Sequence, residues 1–187
     1  ALATAATNAG ASNVITPTLM SINQAAGFSI IKYTGPESSH NPSARYTIPH
    51  GLNSEPEFVV TKSTNNAHNW HAYHKDLGGT AYIQFNLSNP YNPSDPATYN
   101  GPHDQNVVKI GGTQVMAVGE YIMYCWHSVE GYSKFGSYTG NGSPDGPYVH
   151  CGFRVGWLMV KRTDSSNSWF IADTAREPNN PAFVKTL

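Results

Sequence analysis

An all-β fold of many short antiparallel strands is what the sequence predicts, and three observations predict it. Aromatic and β-branched residues fall in short runs with a period of two. Those runs are bounded by turn residues, with 17 Gly and 13 Pro spread through 187 positions as punctuation. No stretch carries a helical period of apolar residues.

In chain order, residues 1–13 are small and polar and read as a linker or arm. Apolar residues return over 14–22. Strands are expected at 28–33, 45–50, 58–62, 68–74 and 81–87. Residues 88–104 must be loop, because Pro90, Pro93, Pro96 and Pro102 remove ladder donors across most of it. Strands resume at 106–110, turn through Gly111-Gly112 and continue over 114–129 with a bend near Gly119-Glu120. Residues 121–126, apolar on both alternating faces, are the expected central strand.

The chain also repeats itself. Gly27-Phe28-Ser29, Tyr33-Thr34-Gly35, His50-Gly51, the run FVVTK ending at Lys62, and Trp70 form one series. Gly131-Tyr132-Ser133, Tyr138-Thr139-Gly140, His150-Cys151-Gly152, WLMVK ending at Lys161, and Trp169 form the other. Each Trp stands eight residues beyond its Lys. Three segments follow from this repeat. Residues 1–26 are an arm whose last part occupies the place of a preceding unit's closing strand, 27–130 are a first repeat, and 131–187 are a second, incomplete one. An incomplete unit would leave edges and apolar faces for another subunit to cover.

Composition limits the partners. Charged residues are 12% of the chain and the net charge is -1, so bulk electrostatics draws in neither nucleic acid nor an acidic surface. No apolar run approaches the ~20 residues of a membrane helix, and the protein reads as soluble, without membrane insertion. Two Cys are too few for a disulfide scaffold and lack zinc spacing. Cys125 reads most simply as a small buried residue, with a bridge to Cys151 as the alternative.

The words GFSIIKYTG with IPHGL, EYIMYCWHSVEGYSKFGSYTGNGSPDGP and CGFRVGWLMVKRTDSSNSWFIADTARE resemble a repeated β domain of unassigned function from bacteriophage tail-fibre-like and other virion structural proteins. GYSKFGSYTGNGS is the most specific portion. The resemblance implies an antiparallel β-sandwich of jelly-roll or lectin-like type in tandem, located in the virion. It implies a non-enzymatic structural protein that forms homo-oligomers, contacts other virion proteins and can display a host-attachment surface. No catalytic residues come with it.

Candidate sites are few. His68, His71 and His74 look like a metal cluster, but on a strand the spacing turns His71 to the face opposite His68 and His74. Asp95, Asp104 and the turn from Asn141 to Asp145 supply oxygen ligands one at a time, so an Asx-rich turn is the simpler reading. No metal and no cofactor is expected. Trp70 and Trp169 read first as core and second as sugar platforms. His50 and His150 read as strand-end residues whose rings bond locally. G-x-S-x-G, P-loop and H-E-x-x-H patterns are absent from the sequence, and no carboxylate pair is legible. The expected function is therefore a fibre or virion structural protein. The alternatives are a carbohydrate-binding adhesin using Tyr91, Tyr99 and Trp70 on a host surface glycan, and an extracellular polysaccharide hydrolase.

Overall fold

A computed structural model describes residues 13–36, 44–93, 98–112, 114–176 and 185–186. The chain is all-β, with antiparallel strand pairing throughout its named strands. In order they are β1 (Leu19–Asn23), β2 (Phe28–Gly35), β3 (Arg45–Pro49), β4 (Phe58–Ser63), β5 (His71–His74), β6 (Ile83–Gln84), β7 (Val107–Gly111), β8 (Gly119–Trp126), β9 (Trp157–Val160), β10 (Phe170–Asp173) and β11 (Lys185–Thr186). One 3-10 turn, Lys75–Leu77, is the helical exception among the described residues.

Six strands form the main sheet in the order β1-β2-β8-β4-β5-β6. The apolar run at 121–126 sits in its middle, as its two apolar faces require. β8 pairs along its whole length with β2, from Phe28 opposite Trp126 to Gly35 opposite Gly119. On its other edge it pairs with β4, from Phe58 opposite Trp126 to Ser63 opposite Tyr121. Tyr121, Met123 and Cys125 point one way and are wholly buried, while Ile122, Tyr124 and Trp126 point the other way and are partly covered.

The buried side of β8 faces a two-stranded layer, β3 with β7, in which Ile48, Val108 and Ile110 are wholly buried. Ile31, Tyr33, Val59, Tyr73, Tyr121 and Met123 fill the same core from the main sheet. The arrangement is a sandwich of unequal layers. Tyr33 stacks on Tyr121, its cross-strand partner, with ring centroids 5.1 Å apart. Its hydroxyl donates to the Val115 carbonyl at 2.6 Å, which brings a polar group into the core at little cost.

Three expected strands are shorter than the sequence suggests. The strand expected over 114–129 begins only at Gly119, because Val115 and Met116 fold in as a wholly buried plug. A Cβ on Gly35 would stand 2.0 Å from the Ala117 carbonyl oxygen of that plug, so the packing demands glycine there. The strand expected over 81–87 shrinks to β6, because the chain turns where the Leu87 amide bonds the Gln84 carbonyl at 3.2 Å. The ladder expected from 68 starts at His71, since the Trp70 amide is taken by the Asn86 side chain at 3.0 Å. Residues 14–26 do not stand apart from the first repeat: β1 is the edge strand of its sheet, hydrogen-bonded to β2.

The sequence repeat has a structural image in one hairpin. β4 and β5 pair Phe58 with His74, Val59 with Tyr73, Val60 with Ala72 and Thr61 with His71. β9 and β10 pair Trp157 with Asp173, Leu158 with Ala172, Met159 with Ile171 and Val160 with Phe170, the same register carried along the chain. The turn glycines match as well, Gly27 and Gly131 having φ of 61° and 74° and Gly51 and Gly152 having φ of 71° and 83°. The surroundings differ. The second hairpin packs Met159 onto the Phe58, Val60 and Ala72 cluster and Trp169 against Phe85 at 4.7 Å, while no strand lies between 131 and 156.

Glu57, through Ser128, contributes to the ties between this second segment and the first. Glu57 accepts from the Lys75 ammonium at 2.6 Å and from the Ser128 amide at 2.7 Å, and also from the Ser128 hydroxyl, which itself accepts from the Phe135 amide at 3.1 Å. Burial raises the Glu57 pKa, but the hydrogen bonds from Lys75 and Ser128 outweigh it and leave the carboxyl below its ordinary value.

Two substitutions separate the layers. Met123→Ala in the core is expected to cost about 2–5 kcal/mol, and Leu158→Ala, on an exposed strand, within about 0.5 kcal/mol of nothing, both read from urea unfolding curves. Glu57→Ala should cost about 1.5–3 kcal/mol by the same measurement, because hydrogen bonds to a charged group are lost with it.

Candidate functional site

The surface carries two aromatic-lined grooves, one on the outer face of the main sheet and one at its β6 edge. The first, of about 370 Å³, is bounded by Lys62, Ser63, Thr64, Asn66, Trp70, Ile122 and Tyr124. Strand alternation builds it: Lys62 and Ile122 are cross-strand partners on the face away from the core, and Tyr124 follows two residues on. The loop after β4 is folded back by Lys62, whose ammonium donates to the His68 carbonyl at 2.7 Å and the Asn66 carbonyl at 3.3 Å. Asn66 in turn donates to the Val118 carbonyl at 3.3 Å. Trp70, half-buried, is thereby fixed with part of its ring toward solvent.

The second groove, of about 320 Å³, is bounded by Tyr82, Gln84, Asn89, Pro90, Tyr91, Asn92 and Pro93. The proline-rich loop is held against the sheet by reciprocal amide bonds of Asn92 and Tyr82, at 2.9 and 3.2 Å. Tyr91 donates its backbone amide to the Thr163 carbonyl at 3.1 Å, so the second segment anchors the same loop. Both grooves combine aromatic faces with amide or hydroxyl groups, the pairing that suits a sugar's apolar face and its hydroxyl edge.

The structure places the expected glycan contacts in three different settings. Trp70 lines one groove and Tyr91 the other. Tyr99 does not reach a surface: it is wholly buried, donates its hydroxyl to the His71 carbonyl at 3.0 Å and takes a hydrogen bond from Thr61 at 3.0 Å. That corrects its assignment, because a ring enclosed by Tyr73 and His103 offers no face to a ligand. Trp169 is core, 4% exposed, with its indole directed at the Gln84 carbonyl. Lys62, Asn66, Tyr82 and Tyr124 were not singled out by sequence. Alternation along β8 puts Tyr124 on the outer face, and that is the signal which points to it.

The histidine run divides as strand geometry requires. His71 points into the core side with Tyr73, and His74 lies on the other face, where its ring accepts the Asp76 amide at 3.2 Å. Among the described residues no group of three or more His, Cys, Asp or Glu side chains could hold a metal ion. Asp104 closes an Asx turn, accepting the Asn106 and Val107 amides at 2.9 and 3.0 Å, and the Asn141 side chain does the same for Ser143 at 3.0 Å. Asp95 lies outside the described residues. Cys125 and Cys151 are both free thiols.

Glu57, His127 and Ser128 come together at the end of β8, but not as a nucleophile with its base. His127 directs Nδ1 to the Ser128 carbonyl at 2.7 Å, and the Ser128 hydroxyl is occupied by Glu57 and by the Phe135 amide. His50 bonds locally at one ring nitrogen only: Nδ1 accepts the Leu52 amide at 3.1 Å, so Nε2 donates to the Asp104 carbonyl, 54 residues on, at 3.0 Å. Burial lowers its pKa. His103, 3% exposed, accepts the Lys109 amide at Nδ1 and lies 4.1 Å from the Tyr73 ring. Burial, reinforced by His50 and Lys109, pushes its pKa down to about 3.

The family described as a domain of unknown function, DUF7483, matches residues 2–187. The chain belongs to that family. No curated protein and no solved structure matches the chain. The match covers both copies of the hairpin and both grooves. No helix among its described residues is long and apolar enough to cross a membrane.

Burial of neutral His103 makes stability pH-dependent. Its folded pKa lies below the ordinary 6.5, so between those values the unfolded chain binds a proton that the folded chain refuses. Its contribution is complete above about pH 6.5 and is lost as the pH falls toward about 3. Urea unfolding at neutral pH and at about pH 4.5 should show a smaller loss for His103→Gln than for the parent chain.

Proposed function

We propose that this chain is a non-enzymatic structural module of a bacteriophage virion, of tail-fibre type, which assembles into oligomers and presents an attachment surface to the host. The observation that carries this reading is the distribution of uncovered apolar side chains. Of the eight large apolar side chains that are 47% exposed or more among the described residues, six, Tyr132, Tyr138, Tyr148, Val149, Trp157 and Leu158, belong to the second segment, the other two being Leu19 and Val118. Large exposed apolar side chains gathered in one part of a chain mark surfaces that meet another protein. The resemblance of the repeated words to virion modules supports the same reading, and the loops at the sheet ends supply accessible surface on a stiff frame.

Light scattering tests the assembly. A mass that is a multiple of the 20.3 kDa chain is expected, and a monomer at every concentration would count against the reading.

A second reading, a carbohydrate-binding adhesin, is favoured by the groove of Trp70 and Tyr124 with Lys62 and Asn66 on its rim. Indole fluorescence titration against glycans that score on an array is the check. Trp70→Ala should weaken binding about tenfold or more, roughly 1.4 kcal/mol, whereas Tyr99→Phe should leave affinity unchanged. Equal affinity of Trp70→Ala and parent would remove this groove from consideration.

A further inference from the structure

The two copies of the hairpin differ in one respect. β4 is paired on both edges, to β5 on one side and β8 on the other. β9 repeats β4 in its register to β10, yet no described strand pairs with its other edge. The consequence is visible residue by residue. Phe58 and Val59 are 6% and 0% exposed, and their counterparts Trp157 and Leu158 are 57% and 49% exposed.

The internal repeat also indicates what kind of strand belongs there. The missing neighbour corresponds to β8, the strand that runs up to Gly131, Tyr132 and Ser133. β1 stands in the same relation to Gly27, Phe28 and Ser29. Among the described strands it pairs only with β2, with Leu19 69% and Ile22 45% exposed. Neither LMSIN nor WLMV contains a charge or a proline, the residues that ordinarily guard an open edge against pairing.

β1 cannot serve β9 within one molecule. It occupies the far edge of the main sheet, separated by β2 and β8 from β4, while the β9 hairpin rests on the β4 to β6 end through Met159 and Trp169. We therefore propose that the open edge of β9 is completed by β1 of a second copy of this chain, as an added antiparallel strand.

The register follows from the template. Phe58 faces Trp126 and Thr61 faces Met123 in the first copy. Counting from the turn glycines Gly27 and Gly131, Ile22 stands where Trp126 stands and Leu19 where Met123 stands. Trp157 then pairs with Ile22 of the second copy, Leu158 with Ser21, Met159 with Met20 and Val160 with Leu19. The two joined surfaces are different, so each chain has one donor edge and one acceptor edge left over, and the association continues head to tail into a ring or a filament. This inference deepens the oligomeric part of the proposed function and is independent of glycan binding.

Cysteine pairing tests it in the whole chain carrying Cys151→Ser, with Cys125 left buried. Ile22→Cys protein and Trp157→Cys protein are mixed with oxidised glutathione as the oxidant. A disulfide-linked dimer is expected from the mixture and not from either protein alone, and the double variant should give a ladder. Leu19→Cys mixed with Trp157→Cys is out of register and should link at least fivefold less. Equal linking in and out of register, or no link from the mixture, overturns the pairing. Leu158→Lys combined with Leu19→Lys, both at exposed positions, should reduce the light-scattering mass to that of one chain without altering the circular dichroism spectrum. If the parent chain is oligomeric but indifferent to these lysines, this interface falls and the fibre reading stands; if the parent is monomeric, both fall.

Discussion

Everything in this fold depends on β8 being paired on both edges and covered on both faces. From Tyr121 to Trp126 the strand is apolar or aromatic on both alternating faces, so it sits in the middle of the sheet with a full core on one side and partial cover on the other. The core layer, β3 with β7, meets Tyr121, Met123 and Cys125. The opposite face meets Phe135 and Met159 of the second segment through Phe58, Tyr124 and Trp126. Two different parts of the chain are thus recruited by one strand, and the desolvation of its alternate side chains is the main gain in each case.

The grooves inherit their rigidity from the same frame. Ile122 and Tyr124 are held by the ladders on either side of β8, and Lys62 by β4, so one wall of the Trp70 groove is sheet. Only the 64–70 wall is loop, and Lys62 clasps that loop by two of its carbonyls. An aromatic platform fixed in this way needs little further ordering when something settles on it.

Much of this was legible in the sequence. The period of two located β2, β3, β4, β7 and the central place of β8, because alternation is imposed by the pleat and survives any tertiary context. The opposite facing of His71 and His74 followed from the same rule. Strand ends were less legible, since β6 stops at a local turn made by Gln84 and Leu87, while β5 starts late because Asn86, sixteen residues on, takes the Trp70 amide. Tyr99 shows the limit most clearly. It lies beside a proline-rich loop and looks like a surface aromatic, but an isolated bridge to Ile110 and a hydroxyl satisfied by Thr61 and His71 carry it into the core. Whether a tyrosine is inside or outside was decided by a hydrogen-bond partner that no local pattern reveals.

The anchoring of the 88–93 loop has a mechanical meaning. Lys161 and Asn167, on either side of the connection from β9 to β10, both donate to the Ser88 carbonyl, at 3.3 and 2.8 Å, and Thr163 between them holds the Tyr91 amide. The groove of Tyr82 and Tyr91 is therefore clamped by the hairpin connection as well as by the bridge between Asn92 and Tyr82. A load applied along β9 is transmitted through three backbone carbonyl contacts to the aromatic rim some residues away. The groove rim and β9 therefore share one lever, so strain in β9 reaches the shape of the groove.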